Sequence, residues 1–251
     1  FYYTFMKKYH TPKRILLKLS WEALQWKQWY GIDPDFLTYI AEKVVYLIQV
    51  QKIEVAIVIG GWNIFRGVEL ERGGFDRATG DNMGMLATII NGIAIGEAIE
   101  AAWVDVRVMS AIPTHRVAED FIRRRALNHI KKGRIVICVG WTGNPYSTTD
   151  SAAVLRALEL ECDAVVKATK VDGIYDKDPH KHSDAIRYDI LPLEEALHKN
   201  LRVMDQAAIA LAHDENMPIF VCRIEDTHLI GTDDIIGTYV HTKHHIKKIS
   251  E

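Results

Sequence analysis

Five short and almost wholly apolar runs constrain this chain more than any other feature: RILLKLS (14–20), VAIVIGG (55–61), VRVMSAI (106–112), RIVICVG (134–140) and DAVVKAT (163–169). A strand with one wet face alternates apolar and polar residues. These runs barely alternate, so they read as strands buried on both faces. The stretches between them are long enough for a helix each. Buried strands alternating with helices build parallel β-α-β units, which predicts an α/β domain whose central, mostly parallel sheet is sandwiched between helices. MPIFVCR (217–223) and GTYVH (237–241) read as closing strands.

The helical stretches carry their own signals. Asp33 and Pro34 supply an N-cap and a first-turn proline, after which Leu37, Ile40, Ala41, Val44 and Leu47 recur at helical spacing. Further helices are expected at about 81–102, 116–132, 149–161, 193–200 and 205–216, and VDGIYDKDPHKHSDAIRYD (171–189) reads as a turn-rich excursion near a hairpin. With 251 residues, 48% of them hydrophobic, the chain can bury one large core, and no linker or repeat divides it.

Several function classes are disfavoured at once. A net charge of −2 with dispersed Lys and Arg gives no reason to expect a nucleic-acid partner. Cys138, Cys162 and Cys222 show no C-x-x-C spacing, so neither a disulfide framework nor a zinc site is suggested, and a reducing cytoplasm fits. No apolar run reads as a membrane span, FYYTFMKKYHTPKR lacks the pattern of a signal peptide, and Met6 is a candidate native start. His180 with His182, and His241 with His244 and His245, lack a further ligand at fixed spacing, so no protein-held metal site is expected.

Chemistry is indicated instead where strands end. KLSWEA (18–23), GGWNIFRG (60–67), GWTGNPYSTTD (140–150) and KATKVDGIYDKDP (167–179) are polar loops at the carboxyl ends of expected strands, where open parallel sheets bind ligands. Lys18 adds a point charge suited to phosphate. Neither a G-x-x-x-x-G-K-[ST] loop nor a G-x-G-x-x-G turn is present, so phosphate has to be held otherwise. Backbone N–H groups of the small residues offer one means, and the helix opening at Thr148, Thr149 and Asp150 offers another. An ordinary capped helix would carry the same three residues.

Taken together, KRILLKLSWEAL, GIDP, IVIGGWNIFRG, GDNMGMLATIINGIAI, SAIPTH, TGNPYSTTDSAA, KATKVDGIYDKDP and RVMDQAAIALAHDENMPI resemble the bacterial uridylate kinases, hexameric UMP kinases of the amino-acid-kinase fold. The resemblance runs in register from about Lys13 to Val240. It implies one amino-acid-kinase domain over 13–240, with flexible tails at 1–12 and 241–251. It also implies transfer of the γ-phosphoryl of ATP to UMP in the cytoplasm, with Mg2+ accompanying ATP. Lys18, Leu19, Ser20 and Trp21 would meet the ATP phosphates, joined by Trp62 and Arg66, while Thr169, Tyr175 and Asp178 would surround adenine and ribose. Gly61, Asp81 and the run Thr142, Gly143, Asn144, Pro145, Tyr146, Ser147, Thr148 and Thr149 would bind UMP. Asp150 and Asp205 would be the carboxylates near the reaction centre, beside Lys18. Helix capping is an equally ordinary use for Asp81, Asp150 and Asp205. GTP activation, UTP inhibition and a homohexamer are implied as well, with segment 26–31 tied to that control.

The departures from the family are not scattered. All six tryptophans, Trp21, Trp26, Trp29, Trp62, Trp103 and Trp141, stand where the uridylate kinase pattern has glycine, which permits φ > 0 and close backbone approach to a ligand. A coding sequence whose UGA codons specify glycine, read as though UGA meant tryptophan, would give this pattern. If the tryptophans are genuine, the chain reads instead as a non-catalytic nucleotide-binding regulator. Ser147 is a smaller departure, standing where the family commonly has a second aromatic after Tyr146. A small-molecule kinase of the same fold acting on a carboxylate or carbamate is the third reading, and TGNPYSTTD with Asp81 favours UMP over it.

Overall fold

The computed structural model describes residues 12–20, 31–64, 74, 76–179, 181–199, 201 and 203–242. Met6, Trp21, Trp26, Trp29, Arg66, His180, His244 and His245, with most of the 26–31 segment, lie outside the described residues. The chain forms a nine-stranded sheet of order β4-β3-β5-β2-β1-β6-β10-β11-β9. Its strands are β1 (Arg14–Leu19), β2 (Glu54–Ile59), β3 (Val106–Ser110), β4 (Glu119–Asp120), β5 (Ile135–Val139), β6 (Ala164–Thr169), β9 (Ile190–Pro192), β10 (Ile219–Arg223) and β11 (Gly237–His241). All pairings are parallel except β10 with β11. A separate two-stranded ribbon, β7 (Ile174–Tyr175) with β8 (Arg187–Tyr188), is the hairpin expected within the excursion after β6.

Both faces of the sheet are covered, as the unalternating strands require. Ile15, Leu17 and Leu19 of β1 belong to one core, packed with α1 (Pro34–Gln49) and α2 (Arg77–Ala101), while Leu16 belongs to the other, packed with α3 (Arg123–Lys131), α4 (Thr149–Glu159) and α6 (Gln206–Asp214). Asp33 caps α1 by accepting from the Asp35 N–H, and Ile40, Ala41, Val44 and Leu47 form its buried stripe with Phe36. A short helix, α5 (Leu193–His198), precedes α6.

Helix α2 lies close on the sheet because of its glycines: a Cβ at Gly92 would come within 2.3 Å of Val139 Cγ1. By length and composition α2 is apolar enough to cross a membrane, with mean hydropathy 1.3, contrary to the expectation that no run is. More than half of that window is buried in the fold, as suits a core helix.

One further expectation is corrected. The helix placed at 116–132 begins only at Arg123, because Glu119 and Asp120 pair with Met109 and Ser110, and the Phe121 N–H then donates to the Ser110 carbonyl. That pairing takes up the backbone groups an earlier helical turn would need. At the other end of the chain, the closing strand expected at 237–241 is β11, and Thr242 is buried beyond it.

Candidate active site

The connections leaving β1 and β6 run to opposite sides of the sheet, β1 toward β2 and β6 toward β10, which makes the β1/β6 boundary the point where a crevice opens at the strand ends. Lys18 and Lys167 face each other in register across it. They share the parity of Leu16 and Val165, so both side chains lie on the face covered by α4. Asp150, in the first turn of α4, meets both: Oδ1 is 2.6 Å from Lys18 Nζ and Oδ2 is 3.4 Å from Lys167 Nζ. Burial pushes the Asp150 carboxyl up, but the two ammonium groups more than offset this and hold it below the usual aspartate range. Burial and then the neighbouring Lys18 charge lower Lys167, with Asp150 opposing in part.

Asp150 is not the cap of its helix. Thr148 is, accepting from the Asp150 and Ser151 N–H groups in a capping box with Ser151, and its hydroxyl also donates to Asp205 Oδ2. Asp205 does cap α6, accepting from the Ala208 N–H at 2.8 Å. The Thr148 bond therefore ties the start of α4 to the start of α6. Asp81 sits inside α2, whose N-cap is Asp76. Its buried carboxylate holds Arg77 Nε at 3.0 Å and accepts the Tyr146 N–H at 2.7 Å, anchoring the 142–149 loop to α2. Within that loop, the Thr142 and Ser147 hydroxyls bond at 2.9 Å, and Ser147 donates to the Asn144 carbonyl. Gly143 has φ +88°, where a Cβ would come within 2.9 Å of the Ala111 carbonyl.

Helix α2 organises the neighbouring loops through buried polar groups. Asn91 donates to the Gly60 carbonyl at 2.6 Å and exchanges bonds with Asn63, and the Thr88 hydroxyl accepts the Gly140 N–H at 2.9 Å. Each buried donor is thereby satisfied, and each loop fixed. Gly61 packs against the same helix, where a Cβ would approach the Gly84 carbonyl to 2.9 Å. Ser20 is buried past the end of β1, its N–H bonded to the Ala168 carbonyl. Leu19 is fully buried, leaving only its backbone for a ligand.

On the other side, Thr169 ends β6, and Tyr175 lies in the β7/β8 ribbon with its hydroxyl on Asp172 at 2.8 Å. That bond, with some burial, pushes the Tyr175 phenol up. Asp178 follows in the next turn, 3.7 Å from Lys181. Thus Lys18, Asp150, Thr148 and Asp205 form one linked network and Asp81 tethers the 142–149 loop, while Ser20 bonds to β6, Gly61 packs on α2, and Thr169, Tyr175 and Asp178 lie at and beyond the end of β6. Lys167 was not singled out from sequence. Its signal was its position in AVVKAT, on the parity that β1 uses for Lys18.

Of the tryptophans, 62, 103 and 141 are described. Trp62 is exposed in the turn after β2. Trp103 and Trp141 have φ values of +64° and +52°, in the left-handed region that favours glycine. The Trp141 ring packs on Met85 and Ala152, against the backbone of Gly84, and its Nε1–H has no acceptor among the described residues.

This arrangement, a lysine and carboxylate at strand ends beside a capped helix start, can neutralise and align anionic groups without any covalent intermediate. Comparison with known proteins places it in a class: the model of the Amino acid kinase family matches residues 14–223. A uridylate kinase of Xanthomonas campestris pv. campestris is 56% identical over 207 residues, covering 82% of this chain and 86% of its own. One of Sulfurovum sp. is 53% identical over 221 residues, 87% and 94% of the two chains. The crystal structure of UMP kinase from Bacillus anthracis superimposes with a TM-score of 0.88 at 38% identity, covering 92% of this chain and 97% of that one. The chain belongs to the amino acid kinase family and, within it, to the uridylate kinases.

Proposed function

We propose that this chain transfers the γ-phosphoryl group of ATP to the 5′-phosphate of UMP, giving UDP and ADP in pyrimidine nucleotide synthesis in the cytoplasm. The observation that carries the reading is the Lys18–Asp150 ion pair at the β1/β6 crevice, flanked by the α4 N-terminus and by the loop that Asp81 tethers. Two anions must be brought together, so the work is charge neutralisation and positioning. Lys18 supplies positive charge to the transferred group, Ser20 and the Gly61 backbone line its approach, and residues 142–149 hold the acceptor. Thr169, Tyr175 and Asp178 form the nucleoside end of the ATP site.

Each oxygen of Asp150 and Asp205 already faces a cation or a donor. The Mg2+ that accompanies ATP would therefore be held mainly by phosphate oxygens and water, and would supply charge neutralisation on the polyphosphate. The test is ADP release with UMP compared with aspartate, glutamate and carbamate. Turnover with UMP alone supports the reading, and turnover with a carboxylate overturns it.

The working protein is a homohexamer in this reading, and the exposed stripe Met83, Leu86, Ile90 and Ile93 along α2 supplies an apolar face for subunit contact. GTP activation and UTP inhibition belong to the same proposal. An open pocket of about 460 Å3 lined by Arg107, His115, Arg116 and Arg125 is the candidate effector site, where an anion would compete with Glu119 and Asp120 for the basic groups they pair. The six tryptophan positions are glycine in the active protein, a reading supported by the positive φ at 103 and 141. Codons other than UGA at those positions would overturn it.

A further inference from the structure

Lys167 is a part-buried cation of the crevice to which the reaction as described gives no part. It stands beside Lys18 in the strand register, and its ammonium touches two things: Asp150 Oδ2 at 3.4 Å and the Val203 carbonyl at 2.5 Å. A second ammonium next to Lys18, in a site with little water, is repulsive by itself. It is held because Asp150 lies between the two, one oxygen to each, and because the Val203 carbonyl, from the segment before α6, accepts a further hydrogen bond from it. The same segment ends in Asp205, which the Thr148 hydroxyl binds. Lys167 thus closes a ring of contacts running from β6 through the Val203–Asp205 turn to Thr148 and Asp150 at the start of α4.

We propose that Lys167 is a positioning residue for phosphoryl transfer: it anchors one oxygen of Asp150, so that the other holds Lys18 Nζ at the open end of the strands. A carboxylate with a single cation partner rotates about its terminal torsion. With both oxygens engaged it presents one fixed acceptor to Lys18, and the charge that meets the transferred group is placed in advance. The inference rests on the phosphotransfer reading of the site, but its physical content, a fixed and depressed Asp150 carboxyl, is observable without turnover.

The test compares the full-length chain, with glycine at the six tryptophan positions, to its Lys167→Gln and Lys167→Arg variants. Removing the cation takes away one of the two charges that hold Asp150 down. In Lys167→Gln the Asp150 carboxyl, followed by carbon NMR, therefore titrates at higher pH, and the acid limb of kcat moves up with it. Lys167→Arg keeps both near their original positions. Lys167→Gln lowers kcat about 100-fold, as loss of one preorganised electrostatic contact does, with KM for UMP changed less than about 3-fold. In an Asp150→Asn background the same substitution costs less than about 3-fold, because the two residues act through one contact.

An Asp150 titration unmoved in Lys167→Gln overturns the proposal whether or not the chain phosphorylates UMP. So does a full 100-fold loss retained in the Asp150→Asn background. A parent protein inactive with UMP, in which the carboxyl still shifts, sinks the functional reading and leaves the role of Lys167 as anchor of Asp150 supported.

Discussion

Trp103 and Trp141 are the same residue in nearly the same backbone conformation, and they differ in everything else. Trp103 is the first residue past the C-cap of α2, where its N–H closes onto the Glu100 carbonyl, and it is 93% exposed. Gly133, Glu161 and Asn216 occupy the corresponding left-handed positions after α3, α4 and α6, and glycine and asparagine are the two residue types that tolerate it best. Trp141 follows Gly140 at the end of β5, is 7% exposed, and inserts its ring between α2 and α4. The backbone asks for glycine equally at both sites. Only at 141 is the side chain buried, next to the loop proposed to hold UMP, so conformational preference and functional consequence can be separated.

The largest expected effect is on activity. Trp141→Gly raises kcat/KM for UMP about 100-fold, since small obstructions to a reacting geometry have effects of that size, whereas Trp103→Gly changes it less than about 2-fold. Steady-state kinetics on the two single variants decides this, and equal responses would break the comparison. Next comes stability. Trp103→Gly gains about 1 kcal/mol, the cost of a left-handed conformation for a residue with a Cβ, read as a higher midpoint in urea. Trp141→Gly loses about 2 kcal/mol net, because about 3 kcal/mol of aromatic burial lost with the ring outweighs the same relief of about 1 kcal/mol. Trp103→Asn recovers about 0.5 kcal/mol, as asparagine tolerates the conformation better than tryptophan but less well than glycine. The smallest effect is spectroscopic: Trp103→Phe removes an emission component that iodide quenches, and Trp141→Phe removes one that it does not.

Much of this was legible in the residues. The five apolar runs became β1, β2, β3, β5 and β6 with ends within about two residues, because burial on both faces leaves a composition that does not depend on the neighbours. Asp33 and Pro34 marked the start of α1 for equally local reasons. The missed elements are those fixed by pairing rather than by pattern: β4 exists because it extends β3, and β9 because it completes β11. The site divides in the same way. Lys18 and the 142–150 loop stood out by position and composition, whereas the bridge from Asp150 to Lys167 depends on the register of two strands some 150 residues apart. Asp81 was readable equally as a UMP ligand or a cap; it is not the cap but a tether within the helix, since its partner Tyr146 comes from a distant loop.

The most direct test of the account is UDP formation from ATP and UMP by the protein carrying glycine at positions 21, 26, 29, 62, 103 and 141, measured beside its Lys18→Met derivative. The account predicts UMP-dependent turnover by the first and a loss of about 1,000-fold in the second, the scale on which removing transition-state charge stabilisation acts. Absence of UDP from the glycine protein, or an undiminished rate after Lys18→Met, would contradict it.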